Sequence, residues 1–202
     1  MLLIVIVGYH AITMDWANLF VSLQAVFVSF LPNLLFVYFR IYTPMLLRIG
    51  IVLFMFLTLI LGEMKGFYDT YVWWDMLLHG IAGIGFTLIG FILLVIFFRQ
   101  SGRTITAILT SFLAFSFTMV FAVLWEIYEF LIDIFFSTDS PMQPSNTDTM
   151  SDLIITLVGA AFFCLGGYRY LMWKEKGIIG SVIDEGKTRN KIEHEIRPSS
   201  RN

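Results

Sequence analysis

Apolar residues run along this chain in long blocks, and charges gather between the blocks rather than within them. The apolar stretches lie at about 1–13, 16–39, 45–63, 76–98, 104–136 and 152–173. A helix that crosses a bilayer needs about 20 mostly apolar residues. The pattern therefore predicts an all-α, polytopic integral membrane bundle of about six transmembrane helices. The stretch 1–13 is short and is closed by Asp15. It reads as a first span, because a signal peptide would carry a basic leading region and a small-residue cleavage site, and neither is present. Pro32 sits inside the second span as a kink that neighbouring helices can accommodate. Residues 137–148 are rich in Ser, Pro, Asp and Asn and read as a loop. Residues 174–202 are polar and charged, and read as a solvated tail outside the transmembrane domain 1–173.

Composition strengthens this picture. Of the 202 residues, 58% are hydrophobic and only 14% charged, against roughly 45–50% and about 25% in soluble chains. Those values exclude a disordered chain and do not fit a soluble domain. One cysteine, Cys164, excludes an intramolecular disulfide framework. The net charge of −2 gives no electrostatic bias toward nucleic acid. The bases of the tail are interleaved with Glu175, Asp184, Glu185, Glu193 and Glu195. The expected partner is the lipid bilayer, with no nucleic acid.

Lysine and arginine then orient the spans. With six spans, twelve of the 13 bases fall on one side, leaving Lys65 alone on the other. Basic loops stay in the cytoplasm, so both termini are expected there. Ten of the 15 acids fall on the opposite, outer side. Acids contribute little to topology, so their concentration calls for another cause.

Helix rise places several of them at one depth. At about 1.5 Å per residue, Arg99 to His79 covers roughly 30 Å, Arg103 to Glu126 roughly 35 Å, and Arg169 to Asp152 about 26 Å. The hydrocarbon core is about 30 Å thick. His79, Glu126 and Asp152 are therefore expected at the outer boundary, with Glu63 slightly deeper and weaker as a candidate. Asp75 and His79 are spaced i, i+4, as are Asp148 and Asp152 if their helix begins early enough. Glu126, Glu129 and Asp133 follow at i, i+3, i+7. Each set shares a helix face. Charge at this depth is costly unless it meets a partner or a wet site.

Plainer readings stand beside each residue. Asp75 reads equally as an N-cap. Thr149-Met-Ser-Asp152 before an apolar run matches a capping box. His79 alone would satisfy a neighbouring carbonyl, but it has Asp75 one turn before it. Glu126 and Glu129 are harder to dismiss. Like charges repel at that spacing, and they stand near a helix C-terminus, where the dipole disfavours anions, so something positive, or shared protons, should compensate. His10, in an apolar run, reads as structural. Trp73, Trp74 and Trp125 suit an interfacial aromatic belt. Gly80, Gly83, Gly85 and Gly90 in the fourth span, and Gly159, Gly166 and Gly167 in the sixth, predict close packing of those two helices.

Four stretches also carry a resemblance: Leu61-Gly-Glu-Met-Lys-Gly-Phe-Tyr68, Trp73-Trp-Asp-Met-Leu-Leu-His79, Leu124-Trp-Glu-Ile-Tyr-Glu-Phe130 and Asp148-Thr-Met-Ser-Asp-Leu153. Together they resemble the YjdF-like family of bacterial membrane-spanning proteins of unknown function, over roughly 34–170. Gly80 stands where that resemblance implies an aromatic residue. The resemblance implies a bacterial plasma-membrane protein. It also places Glu63, Asp75, His79, Glu126, Glu129, Asp148 and Asp152 at motif positions, and it implies no activity.

Three functions compete on this reading. Carboxylates with one imidazole suit a divalent metal ion such as Mn²⁺, Zn²⁺ or Fe²⁺, held by Asp75, His79, Glu126, Glu129, Asp148 and Asp152, with Glu63 the weaker candidate. Such an ion would activate water for hydrolysis of a lipid or envelope intermediate. Alternatively, the paired carboxylates and His79 relay protons or ions, as in a transporter. That reading needs a polar line toward the cytoplasm, for which only Ser and Thr are available. In the third reading the acids only lock helices together, bonded to Trp, Tyr or backbone N–H groups.

Overall fold

A computed structural model describes residues 2–39, 44–101, 104–136 and 142–173, together with Gly180, Ser181, Asp184, Glu185 and Thr188. Arg40, Arg103, residues 137–141 and most of the expected tail lie outside the described residues. Among the described residues the regular structure is helical. The helices fall into two compact units, Met1–Tyr71 and Val72–Asn202.

In the first unit, α1 (Leu2–Ile12) and α2 (Trp16–Phe39) are joined by a tight turn. Met14 takes a left-handed conformation with φ 56°. The Asp15 N–H then reaches the His10 carbonyl at 3.0 Å, which closes α1 in the manner of a Schellman turn. Asp15 opens α2: its carboxylate accepts from the Asn18 backbone N–H at 3.2 Å and from the Asn18 side-chain amide at 2.8 Å. That amide holds the Asp15 carboxyl below the usual carboxylate range. The 11 residues of α1 rise about 16 Å, about half a hydrocarbon core.

α3 (Met45–Met55) continues as a wider π-helical segment, Phe56–Met64. Its looser winding shows in the Lys65 N–H, which reaches back five residues to the Ile60 carbonyl at 3.1 Å. Gly62 leaves room for the Tyr68 ring, which lies where a Cβ would stand. Gly66, at φ 66°, ends the segment and starts the short α4 (Phe67–Thr70). Only a residue without a Cβ adopts that conformation freely.

The second unit is a bundle of three helices: α5 (Trp74–Gln100), α6 (Ala107–Phe136) and α7 (Asn146–Trp173). Each has one inward face with helical spacing. On α7 it reads Asp152, Thr156, Gly159, Phe163, Gly167, Tyr170, all buried. On α6 it reads Thr110, Ala114, Thr118, Ala122, Glu126, Glu129. The opposite face of α7 exposes Ile154, Val158, Phe162 and Leu165. Large apolar residues turned outward while Thr and acids turn inward is the arrangement expected of helices in lipid.

Small residues set the helix spacing. A Cβ on Gly83 would stand 2.5 Å from the Thr156 carbonyl oxygen, and one on Gly159 would stand 2.5 Å from that of Gly80. The two backbones therefore touch, as the glycines predict. Gly90 performs the same role against Ala114 of α6, and Gly167 makes room for the Phe91 ring. Gly85 has open space and takes no part in the contact. Phe91, Ala114, Phe163 and Tyr170 form the core at the end of the bundle away from the acids.

Among the described residues, four helical stretches are long and apolar enough to cross a membrane: Met45–Glu63, Trp74–Val95, Ala107–Phe135 and Asn146–Trp173. The two earlier apolar regions contain the shorter helices Leu3–Ile12 and Asn18–Phe27. The expected span 152–173 is a helix from Asn146 onward, and the loop before it is correspondingly shorter. Its N-cap is Ser145, whose Oγ accepts from the Asp148 N–H at 3.2 Å.

Candidate functional site

α5, α6 and α7 bring their acidic turns together at one end of the bundle. His79 is the centre. Its Nε2 lies 3.7 Å from Asp75 Oδ1, one turn earlier on α5, and its Nδ1 lies 3.9 Å from Glu126 Oε1 on α6. Asp152 comes from α7. Ligand-capable atoms of Asp75, His79 and Asp152 all lie within 4.8 Å of one another, and so do those of His79, Glu126 and Glu129. The expected convergence of three helices on His79 is therefore present in the structure.

The height of each side chain is fixed by packing below it. The Thr156 hydroxyl donates to the His79 carbonyl at 3.2 Å. Asp152 stands one turn beyond Thr156 on the same face, which carries it to the level of the imidazole. Because α7 starts at Asn146, Asp152 lies well inside the helix and is almost fully buried at 1% exposure. The capping-box reading of Thr149 and Asp152 is thereby replaced: Ser145 caps, and Asp152 is free to face α5. Asp148, one turn before it and half-buried, is close enough for its charge to act on Asp75, His79 and Glu126.

Polar partners are unevenly distributed. Glu129 accepts from the Trp125 indole N–H at 2.8 Å. Trp125 thus does more than line an interface: its ring stays largely exposed while its N–H turns to the acid. Asp133 leaves the cluster. Its two oxygens accept the backbone N–H groups of Met142 and Gln143, each at 2.8 Å. This anchors the segment before α7 and lays Gln143 over Glu126. The Gln143 amide donates to Glu126 Oε2 at 2.9 Å and to the Glu126 carbonyl at 3.1 Å.

Two carboxylate oxygens of the cluster remain unsatisfied. Glu126 Oε1 and Asp152 Oδ1 are buried with no hydrogen-bond partner among the described residues. Buried polar atoms are nearly always paired, and an unpaired carboxylate oxygen is among the costliest exceptions. Glu126 Oε1 faces His79 Nδ1, and Asp152 belongs to the ligand group of Asp75 and His79. Glu126 and Glu129 are each 5% exposed, so bulk water does not relieve their mutual repulsion.

Below the cluster, Thr87, Thr110, Thr118 and Thr156 line the bundle interior. Thr87 and Thr118 meet across α5 and α6 at 2.8 Å. Their hydroxyls also reach carbonyls one turn back: Thr87 to Gly83 at 2.6 Å, and Thr118 to Ala114 at 3.0 Å. Thr110 does the same to Thr106 at 2.9 Å. These hydroxyls tie helices and their own backbones together.

Glu63 belongs to the first unit, where it is exposed on the π-helical segment. Gln143 and Thr156 were not among the residues read from sequence. For Thr156 a signal existed, since it follows Asp152 at i+4 and repeats the Thr and Ala spacing of α6. Gln143 sits in a loop whose composition carries no such signal.

The family described as predicted membrane protein (DUF2238) matches residues 1–172. No curated protein matches the chain, and no solved structure does.

Proposed function

Because this chain belongs to the predicted membrane protein family DUF2238, we propose that its acidic cluster works at a membrane boundary, as a site for a divalent cation in a multi-pass protein of the bacterial plasma membrane. The ligands are drawn from His79, Asp75, Glu126, Glu129 and Asp152, with Asp148 at the rim. The base distribution supports an orientation with this end of the bundle outside and both termini in the cytoplasm.

The observation that carries this reading is the pair of orphaned oxygens. If the acids only locked helices together, each would be bonded to Trp or backbone donors, as Glu129 and Asp133 are. Glu126 Oε1 and Asp152 Oδ1 are not, and both stand in groups with ligand spacing. A cation supplies what these atoms lack. Mixed imidazole and carboxylate donors suit Zn²⁺, Mn²⁺ or Fe²⁺. Such ions activate water, so the reaction class that fits is hydrolysis of an ester or phosphoester of a lipid or envelope intermediate arriving from the outer leaflet.

Proton conduction is the weaker reading. It requires groups that pass protons inward, whereas Thr87, Thr110, Thr118 and Thr156 are engaged with backbone carbonyls.

Thermal unfolding of the full chain in mild detergent tests the proposal. A ligand that binds only the folded state raises stability by RT ln(1 + [L]/Kd). Mn²⁺ or Zn²⁺ is expected to raise the melting temperature of the parent chain and not that of Glu126→Gln. Equal response of the two chains, or none in either, would overturn it.

A further inference from the structure

The imidazole of His79 belongs to two groups of ligand atoms. Its Nε2 lies 3.7 Å from Asp75, and Asp75, His79 and Asp152 form one group within 4.8 Å. Its Nδ1 lies 3.9 Å from Glu126, and His79, Glu126 and Glu129 form a second group of the same span. The lone-pair directions of the two ring nitrogens diverge, so one ion cannot bind both.

Resting on the cation reading above, we propose that the site holds two divalent cations, one on each nitrogen of His79. The first takes Asp75 and Asp152, the second Glu126 and Glu129. Each half contains its own orphaned oxygen, Asp152 Oδ1 in one and Glu126 Oε1 in the other. Those side chains are 1% and 5% exposed. One cation bound in either half, with the other ring N–H donating to a carboxylate as metal-bound histidines usually do, would leave the far half unfilled.

With two ions, the second coordination displaces the remaining ring proton to water, and the bridging imidazole becomes an anion. With metal–nitrogen bonds of roughly 2.0 Å on either side of the ring, the ions would stand about 6 Å apart. That spacing is wider than the roughly 3.5–4 Å of carboxylate- or water-bridged pairs. It fits a substrate that spans the ring, with one ion binding its anionic group and the other its bound water.

Stoichiometry decides the matter. The full chain in mild detergent is titrated with Mn²⁺ alone and its bound metal counted, beside Asp152→Asn and Glu126→Gln. The parent chain is expected to bind two ions, and each variant one. Electron paramagnetic resonance of the fully loaded parent chain, which requires no variant, is expected to show two coupled Mn²⁺ ions. One uncoupled ion in the parent chain, lost in both variants, would overturn the two-ion arrangement while sustaining the cation site. No bound Mn²⁺ at all would overturn both.

Discussion

The Thr156 hydroxyl donates to the backbone carbonyl of His79 at 3.2 Å, so a contact between two helices sets the height of the imidazole. Gly83 and Gly159 allow that contact, because each places bare backbone against the neighbouring helix. Close backbone approach, a hydroxyl donor at the His79 carbonyl and the level of Asp152 are therefore one arrangement.

Substitution at the glycines should separate contact from open positions. Gly83→Leu and Gly159→Leu force side chains into backbone at 2.5 Å, and overpacking of this kind costs about 1–3 kcal/mol or more. Gly50 and Gly85 have nothing within 4 Å of a built Cβ. Folded yield by size-exclusion chromatography should fall for Gly83→Leu and Gly159→Leu and hold for Gly50→Leu and Gly85→Leu. Equal tolerance at all four would contradict the packing.

Gln143 should matter through Glu126. Gln143→Ala removes the donor to Glu126 Oε2 and leaves both carboxylate oxygens unpaired. Losing a hydrogen bond to a charged group costs roughly 1.5–3 kcal/mol. Thermal unfolding without added metal should show a loss of that order. Asp133→Asn should release Met142 and Gln143 and expose this segment to protease. Unchanged stability and unchanged cleavage would remove the loop from the account.

Asp15 offers a test in the first unit. As N-cap of α2 it bonds Asn18, and replacing a capping Asp by Ala costs about 0.5–2 kcal/mol. Asp15→Ala should lower thermal stability by that amount or less, since the group is partly exposed. Its carboxyl is held below its ordinary value. The contribution is therefore present above the ordinary aspartate range near 3.9 and fades as pH falls through the lowered folded value. The difference between parent and Asp15→Ala should be present at pH 7 and shrink as pH falls through that lowered value. A constant difference across that range would contradict the capping role.

Topology follows from the bases. In a background with Cys164 replaced by Ser, Ser145→Cys should react with an impermeant thiol reagent from outside intact cells. Thr188→Cys should react only after the membrane is opened. The reverse pattern would invert the protein and place the cluster in the cytoplasm.

The common level of His79, Glu126 and Asp152 at one end of the bundle was legible because helix rise counts residues from Arg99, Arg103 and Arg169. Their convergence on His79 was legible because i, i+3 and i+4 spacing leaves each helix one polar face. The start of α7 was not, since Thr149-Met-Ser-Asp152 matches a capping box locally as well as Ser145 does. Only the tertiary need for Asp152 near His79 and Thr156 distinguishes the two. The π-helical winding of Phe56–Met64 changes the bonding partner without changing the hydrophobic pattern, so sequence spacing is blind to it. Trp125 fits an aromatic belt by composition, and its bond to Glu129 depends on a side-chain direction that composition does not carry. Asp133 shares the i+7 spacing of the cluster, yet the backbone of Met142 and Gln143 claims it.

Metal content is the direct test of a cation site around His79. The full chain, isolated in mild detergent without added metal or chelator, is analysed by elemental mass spectrometry beside a chain carrying both His79→Ala and Glu126→Gln. The account predicts stoichiometric Zn, Mn or Fe in the parent chain, and loss of that metal in a double variant that remains helical and monodisperse. Equal metal content in the two chains, or none in the parent even after dialysis against each ion, would contradict it.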